Sequence, residues 1–334
     1  MVKGYISLAE ARASQAALLE SALPAIAENV RAAQAAGTLQ GPGPIFLGIG
    51  ASYAASAAAV WVLRSRGIHA WRLNAGEHPL PFPQSTHPII GVSQSGRSSE
   101  TLAVLRTIEP QLRLAVVNVA PSPISEIAAT TISLGKLPDS YASTTGYTAT
   151  IAALGMLAEA WDGGVIDPSW SDLPAKFRAL EAVIASRAVA LATPLRDAIA
   201  VDYAGAAPSA GTAEVGALLL REVARLPATG LSSRQYLHGA MESAGRTAHI
   251  LMGDEREAAL AHTLAHAGHH TLLVTTLEVP EEPNLAVLRL PEVSPAQRAI
   301  LEALVMQSLA VETALLRGVD PDAFVFFHTD TKVA

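Results

Sequence analysis

Ile89–Thr101 reads IIGVSQSGRSSET, and upstream Ile45–Tyr53 reads IFLGIGASY. Each is a short apolar run that opens into a turn of small residues and then into a helix-forming stretch. A strand apolar at every position is buried on both faces, as in a parallel sheet covered by helices. The second turn gathers Ser93, Gln94, Ser95, Ser98 and Ser99 around a single glycine, Gly96. Short hydroxyls and free N–H groups converge there at the positive end of a helix dipole, an arrangement suited to a phosphate. One serine-rich turn by itself reads as an ordinary helix cap. Two such turns in one α/β half point to a ligand site.

Outward from these turns, strands and helices alternate. Residues 8–36 read as a long helix carrying Leu18, Leu19, Leu23, Ile26 and Val30 toward one face, kinked or split at Pro24 and ended by Gly37 and the GPGP run at 41–44. Strands are expected at 44–48, 68–73, 89–92, 112–119 and 131–134, with helices at 51–66, 98–107, 123–129 and 145–161. The stretch DGGVIDPSWSD at 162–172 reads as a linker, dividing the chain into domains 1–170 and 171–334. The second half repeats the pattern. It predicts helices at 177–191, 212–225, 255–267 and 294–317, a turn at 195–197, and strands at 198–204, 246–252, 271–275 and 284–288. The class is α/β, with parallel sheets flanked by helices and the ligand at the strand C-termini. GAAPSAG at 205–211 stands where the first half has its serine turn, so the equivalent pocket there is expected to be empty.

Composition removes several alternatives. The 334 residues are half apolar and carry a formal net charge of -7 without a basic run, which excludes nucleic acid and anionic membranes as partners. There is no cysteine, hence no disulfide, no thiolate metal site and no glutaminase nucleophile. Tyr53–Leu63 reads as the longest strongly apolar stretch, about half of a bilayer span. The start, MVKGYISLAEARASQ, has no apolar signal-peptide core, and a soluble, cytoplasmic protein is expected. GIGASY fails the dinucleotide fingerprint because Tyr53 stands where the third glycine belongs, and no Walker lysine follows either turn. His262 and His266 are four apart on an expected helix, with His269 and His270 beyond. No carboxylate lies between them in the H-E-x-x-H manner, so the cluster reads as a histidine-rich helix end and not as a metal site.

The residues quoted so far resemble the sugar isomerase (SIS) family, over nearly the whole chain and as two tandem domains of flavodoxin-like, doubly wound fold. VSQSGRSSET is similar to the family's S-Q-S-G-x-[ST] phosphate loop at Ser93, Gln94, Ser95, Gly96 and Ser98. GIGASY resembles the family's G-[TS]-S turn and contributes Ser52. YASTT at 141–145 resembles the V-A-S-T segment that lines the sugar, matching at Ala142, Ser143 and Thr144, with Thr145 where a lysine is usual. TAEVGALLLREVARLPATGLSSRQYLHGAMES is similar to the family's E-G-A-L-K-L-K-E stretch and its H-G-P motif. The resemblance puts Glu222 on the motif glutamate and His238 on the motif histidine, with Leu219 replacing a lysine and Ala240 a proline. In DTKVA, Lys332 resembles the C-terminal lysine that folds over the family's site.

The resemblance implies an aldose–ketose isomerase or amino-sugar-phosphate deaminase working on a phosphorylated sugar without metal or organic cofactor. Moving a proton between adjacent carbons needs one carboxylate base, for which Glu222 is the candidate against a plain ion pair with Arg225 at i+3. Ring opening needs an acid–base, and a histidine such as His238 suits that work. A homodimer is implied, in which His238 serves the partner's pocket. The alternative is a non-catalytic sugar-phosphate sensor, suggested by the departures at Leu219, Thr145 and Ala240.

Overall fold

A computed structural model describes residues 4–326 and 330–333. The chain divides into two compact units. One holds the residues up to 174 together with those from 325 onward, and the other holds residues 175–324.

In the first unit, α1 (Leu8–Ala35) precedes β1 (Ile45–Gly48), α2 (Ala51–Ser65), β2 (Trp71–Asn74) and β3 (Ile89–Ser93). Then come α3 (Ser99–Arg106), β4 (Arg113–Val117), α4 (Pro123–Ile127), β5 (Thr130–Ser133) and α5 (Thr145–Ala160). The five strands are parallel in the order β2-β1-β3-β4-β5. β1 and β3 are buried at every residue, as their unbroken apolar runs demand of strands covered on both faces. The alanines of α2 and α5 let the two helices pack closely, and α1 also packs on α5. Pro24 does not split the helix: α1 runs through it. Leu19, Leu23, Ile26 and Val30 are buried on either side, and that stripe offsets the roughly 3 kcal/mol that an internal proline costs.

The expected linker is not extended. Trp161–Gly163 and Pro168–Asp172 are short 3-10 turns. The Glu159 carboxylate anchors them, accepting the Asp167 N–H at 3.0 Å and the Trp170 indole N–H at 2.8 Å.

The second unit opens with α6 (Leu173–Arg196), which absorbs the turn expected at 195–197. It continues with β6 (Ala200–Gly205), α7 (Ser209–Ala224), β7 (Ala228–Ser232), α8 (Ser233–Leu237) and β8 (Thr247–Met252). α9 (Arg256–His266), β9 (Thr271–Thr275), β10 (Leu285–Arg289) and α10 (Pro295–Leu316) complete it. Its strands are parallel in the order β10-β9-β8-β6-β7. Counted from its own first strand, this is the order of the first sheet. Both units are doubly wound, with the reversal between the first and third strands. β7 and α8 were not foreseen: ATGLS is an edge strand, paired only with β6 and mostly not buried, so it lacks the apolar run that marks its neighbours.

Tyr53–Leu63 is not the most membrane-like stretch. α10 has 22 residues and a mean hydropathy of 1.6 over its most apolar window, long and apolar enough to span a bilayer. Its apolar side chains are instead used inside the unit, where it packs on α7. Residues 325, 326 and 330–333, assigned from sequence to the second domain, fall in the first unit, where the backbone of Thr331 and Val333 is hydrogen-bonded to the serine turn after β3.

Candidate active site

β1 and β3 are neighbours in the sheet, and the chain leaves them in opposite directions, so a crevice opens at their C-terminal ends. Ser52 follows β1 and Ser93–Ser98 follow β3. Ser93 ends its strand almost wholly buried, 4% exposed. The turn is closed by Gly96 N–H donating to the Ser93 carbonyl at 3.2 Å, with Gly96 at φ 66. A Cβ on Gly96 would lie 2.0 Å from Ser122 Oγ, so glycine is required by space as well as by backbone. The Gln94 carbonyl accepts the N–H groups of Asn118 and Val119, at 3.1 and 3.3 Å, which ties the turn to the end of β4.

The capping explanation for these serines fails. Ser98 stands at the N-cap of α3 but makes no side-chain cap; its hydroxyl donates to Glu100 at 3.2 Å and accepts from Thr101 at 3.3 Å. Among the described residues, Ser95 Oγ accepts only the Arg97 N–H, at 3.3 Å. Among the described residues, the Ser52 and Ser93 hydroxyls and the Gln94 side-chain amide make no hydrogen bond at all. None of these groups is among the buried unpaired polar atoms, so they face solvent and are available to a ligand.

The tail lies along the same turn. Ser98 and Lys332 form an antiparallel bridge. The Thr331 carbonyl accepts the Ser99 N–H at 3.1 Å, Val333 N–H donates to Arg97 O at 3.0 Å, and Ser99 Oγ donates to Asp330 O at 2.9 Å. Lys332 Nζ donates to the Tyr5 hydroxyl at 3.1 Å and sits 5.7 and 6.0 Å from the ring centres of Tyr5 and Tyr141. The expected C-terminal lysine is therefore beside the serine turn, held by an aromatic pair whose rings meet edge-on.

Ala142, Ser143 and Thr144 lie in a loop built around a residue that sequence reading missed. Asp139 is buried and accepts from the N–H groups of Ser140, Thr144, Thr145 and Gly146, at 2.9–3.0 Å. It also accepts the hydroxyls of Ser143 at 2.6 Å and Thr144 at 2.9 Å. Burial pushes its carboxyl up from the ordinary value, while the donors from Ser143, Thr144 and Gly146 pull it back. Every contact is a donor, so Asp139 works as a carboxylate that caps α5. Ala142 and Thr144 are closed to solvent, so of the three residues expected to line the sugar only Ser143 is open to it; the Ser143 proton is spent on Asp139, leaving its oxygen as an acceptor. Gly146 lies against Gln94: a Cβ there would be 3.0 Å from Gln94 Nε2, which brings this loop to the serine turn.

Glu222 and His238 are in the other unit. Glu222 is half-buried near the end of α7 and makes no hydrogen bond or ion pair among the described residues. The i+3 pair is absent, because Arg225 caps the helix at φ 51 and donates to Ala323 O at 2.7 Å. Leu219, where a lysine was looked for, is core, 3% exposed. Burial without a partner pushes the Glu222 carboxyl up to about 7, the range useful to a base at neutral pH. His238 is exposed at the end of α8, before Gly239 at φ 135. No hydrogen bond joins Glu222 to His238.

The serine turn has no equivalent in the second unit, though its place is filled and not empty. Ser209 Oγ donates to Glu302 at 2.7 Å, and Arg298 on α10 joins Glu302, at 2.8 Å, to Asp254, the residue two beyond β8. Burial opposes ionisation of Asp254, but Arg298, the Thr276 N–H and the Thr275 hydroxyl outweigh it and hold its carboxyl at about 2. The histidine cluster also differs from its reading in sequence. His269 and His270 stand apart, while His262 and His266 face a carboxylate, Glu282, supplied from twenty and sixteen residues downstream.

Residues 44–160 match the family model described as the SIS domain. The chain is 30% identical over 253 residues to the glutamine--fructose-6-phosphate aminotransferase [isomerizing] of Brucella abortus, covering 69% of this chain and 42% of that protein. It belongs to the SIS family. The chain spans less than half the length of the curated relatives it matches. The fold of this SIS protein is shared with the C-terminal domain of glucosamine-fructose-6-phosphate aminotransferase from Francisella tularensis, at TM-score 0.79 and 18% identity, over 96% of this chain and 99% of that one. It is shared also with glucosamine-6-phosphate deaminase from Thermotoga maritima, at TM-score 0.72 and 15% identity, over 95% and 98% of the two chains.

Proposed function

We propose that this protein is a phosphosugar isomerase or deaminase acting on a hexose 6-phosphate or an amino-sugar 6-phosphate. The observation that carries the reading is the set of uncommitted donors at Ser52, Ser93 and Gln94, gathered at the switch point of a doubly wound sheet. The phosphate docks on Ser93–Ser98 with Ser52 beside it and sets the register of the sugar, so positioning supplies much of the rate. Ser143 offers an acceptor oxygen to the sugar hydroxyls, and Lys332 supplies a cation next to the turn. Glu222 removes the proton from C2 of the open aldose and returns it to C1 through an enediol, while a proton passes from the C2 hydroxyl to the C1 oxygen. His238 gives a proton to the ring oxygen as the C1 hydroxyl loses one. On an amino sugar, the same transfer yields a C2 imine, which takes up water and releases ammonia.

Leu219 favours a second reading, a sugar-phosphate sensor, since it leaves Glu222 without the ion partner of the family motif. The two readings separate on incubation with glucosamine 6-phosphate, fructose 6-phosphate and tagatose 6-phosphate, following ammonia and the sugar products. Turnover lost in Glu222→Gln with affinity retained is the expected result. Tight binding with no turnover on any sugar identifies the sensor, and neither binding nor turnover removes the phosphosugar reading. We also propose a homodimer in which the exposed His238 completes the partner's pocket. An active monomer at assay concentration contradicts it.

A further inference from the structure

Three residues of the second unit that the sugar chemistry leaves unused converge on one point. His262 and His266 lie one turn apart on α9, and Glu282 reaches them from the turn between β9 and β10. One ligand-capable atom from each lies within 4.8 Å of the others. Glu282 Oε1 is 2.9 Å from His262 Nδ1 and 3.2 Å from His266 Nε2. A tetrahedral Zn²⁺ with bonds of about 2.1 Å keeps neighbouring donor atoms about 3.4 Å apart. The two distances from Glu282 are therefore within about 0.5 Å of the spacing that such an ion sets.

The carboxylate is on a fixed support. Glu282 and Leu285 exchange backbone hydrogen bonds of 3.2 and 2.9 Å, closing a tight turn. Asn284, at φ 65, donates its side-chain amide to Ala265 O on α9 at 3.4 Å, and its carbonyl accepts the Thr271 N–H at 2.8 Å. The turn that presents Glu282 is thus pinned to the helix that presents the histidines. With the His266 side chain 71% exposed, an ion can enter directly from solvent.

We propose that His262, His266 and Glu282 form a three-ligand Zn²⁺ site, completed by a water and clamping α9 to the β9–β10 turn. Two imidazoles and a carboxylate are borderline donors that suit Zn²⁺ over Mg²⁺ or Ca²⁺. None of its three residues belongs to the proposed phosphosugar site, so it holds whether or not the phosphosugar reading does.

Isothermal titration of the whole chain with Zn²⁺, and the visible absorption of added Co²⁺, test it. The expected result is saturable binding of one ion per chain, intense tetrahedral Co²⁺ bands, a raised melting temperature, and affinity that falls in acid as protons compete for the ligands. His266→Ala and Glu282→Gln should each weaken binding by more than ~10-fold, since even the loss of an outer-shell partner commonly does so. His269→Ala should change nothing. Both target positions are surface side chains, and circular dichroism verifies that the variants are folded. Absence of saturable Zn²⁺ binding overturns the proposal. So does affinity unchanged by His266→Ala, or retained in full by Glu282→Gln.

Discussion

Replacing Glu222 with glutamine should stabilise the protein, and only above a definite pH. The carboxyl is ordinary in the unfolded chain, at 4.5, and is pushed up to about 7 in the fold because burial disfavours its charge and no donor or cation compensates. Between those values the folded state holds a proton that the unfolded state has lost. Stability therefore falls as pH rises through this window, and the penalty is complete above pH ~7. A shift of that size corresponds to at most about 3 kcal/mol, reduced in practice because the group is half-buried and partly screened. Glutamine carries no charge and no such penalty. Calorimetric unfolding of parent and variant should coincide near pH 4.5, and the variant should be the more stable at pH 8 by between ~1 and 3 kcal/mol. Turnover of the parent should rise through pH ~7 as Glu222 ionises. A stability difference between the two proteins that is flat from pH 4.5 to 8 would refute the desolvated carboxylate, and with it the physical case for Glu222 as base.

The remaining predictions concern the supports of the two units. Gly96→Ala places a methyl 2.0 Å from Ser122 Oγ at a φ of 66, and should destabilise by about 2 kcal/mol or more in thermal melts while weakening phosphate binding. Asp139→Ala strands several buried donors, at about 1–3 kcal/mol each, and should cost more stability than Ser143→Ala; equal melting temperatures would contradict the loop's dependence on Asp139. Asp254 has its carboxyl lowered to about 2, so its share of stability is present above pH ~4 and lost as pH falls toward 2. Asp254→Asn should flatten acid unfolding across that interval and, by leaving Arg298 with one partner fewer, lower stability at neutral pH.

The parts of the molecule legible in sequence are those whose causes are local. IIGVS and IFLG are apolar at consecutive positions and could only be strands buried on both faces, and the glycine and serines that follow declare a turn within a few residues. The parallel pairing of these strands follows from that alternation, whereas their order is set by packing that only the folded chain contains. ATGLS was missed because an edge strand buries little, so its pattern of residues is weak. Pro24 does not split α1 for the converse reason: the local rule is sound, but burial of Leu23, Ile26 and Val30 carries the helix through it. Asp139 escaped notice because its value lies in the donors it collects from one to seven residues on, which no residue type announces. The contact of the tail with Ser98 and Ser99, and the meeting of Glu282 with His262 and His266, join segments distant in sequence. Such pairings are settled by packing and hydrogen bonds that only the folded chain contains.

Deuterium wash-in is the most direct test of the central claim that this fold carries a phosphate anchor at Ser93–Ser98 and a carboxylate base at Glu222. The protein is incubated in D₂O with fructose 6-phosphate, tagatose 6-phosphate and glucosamine 6-phosphate in turn, and proton NMR follows exchange at C1 and C2. The account predicts wash-in on at least one sugar phosphate. It predicts none on the corresponding unphosphorylated sugar, and none with Glu222→Gln, although that variant still binds the phosphorylated sugar. Exchange that persists in Glu222→Gln, or that ignores the phosphate, would contradict it.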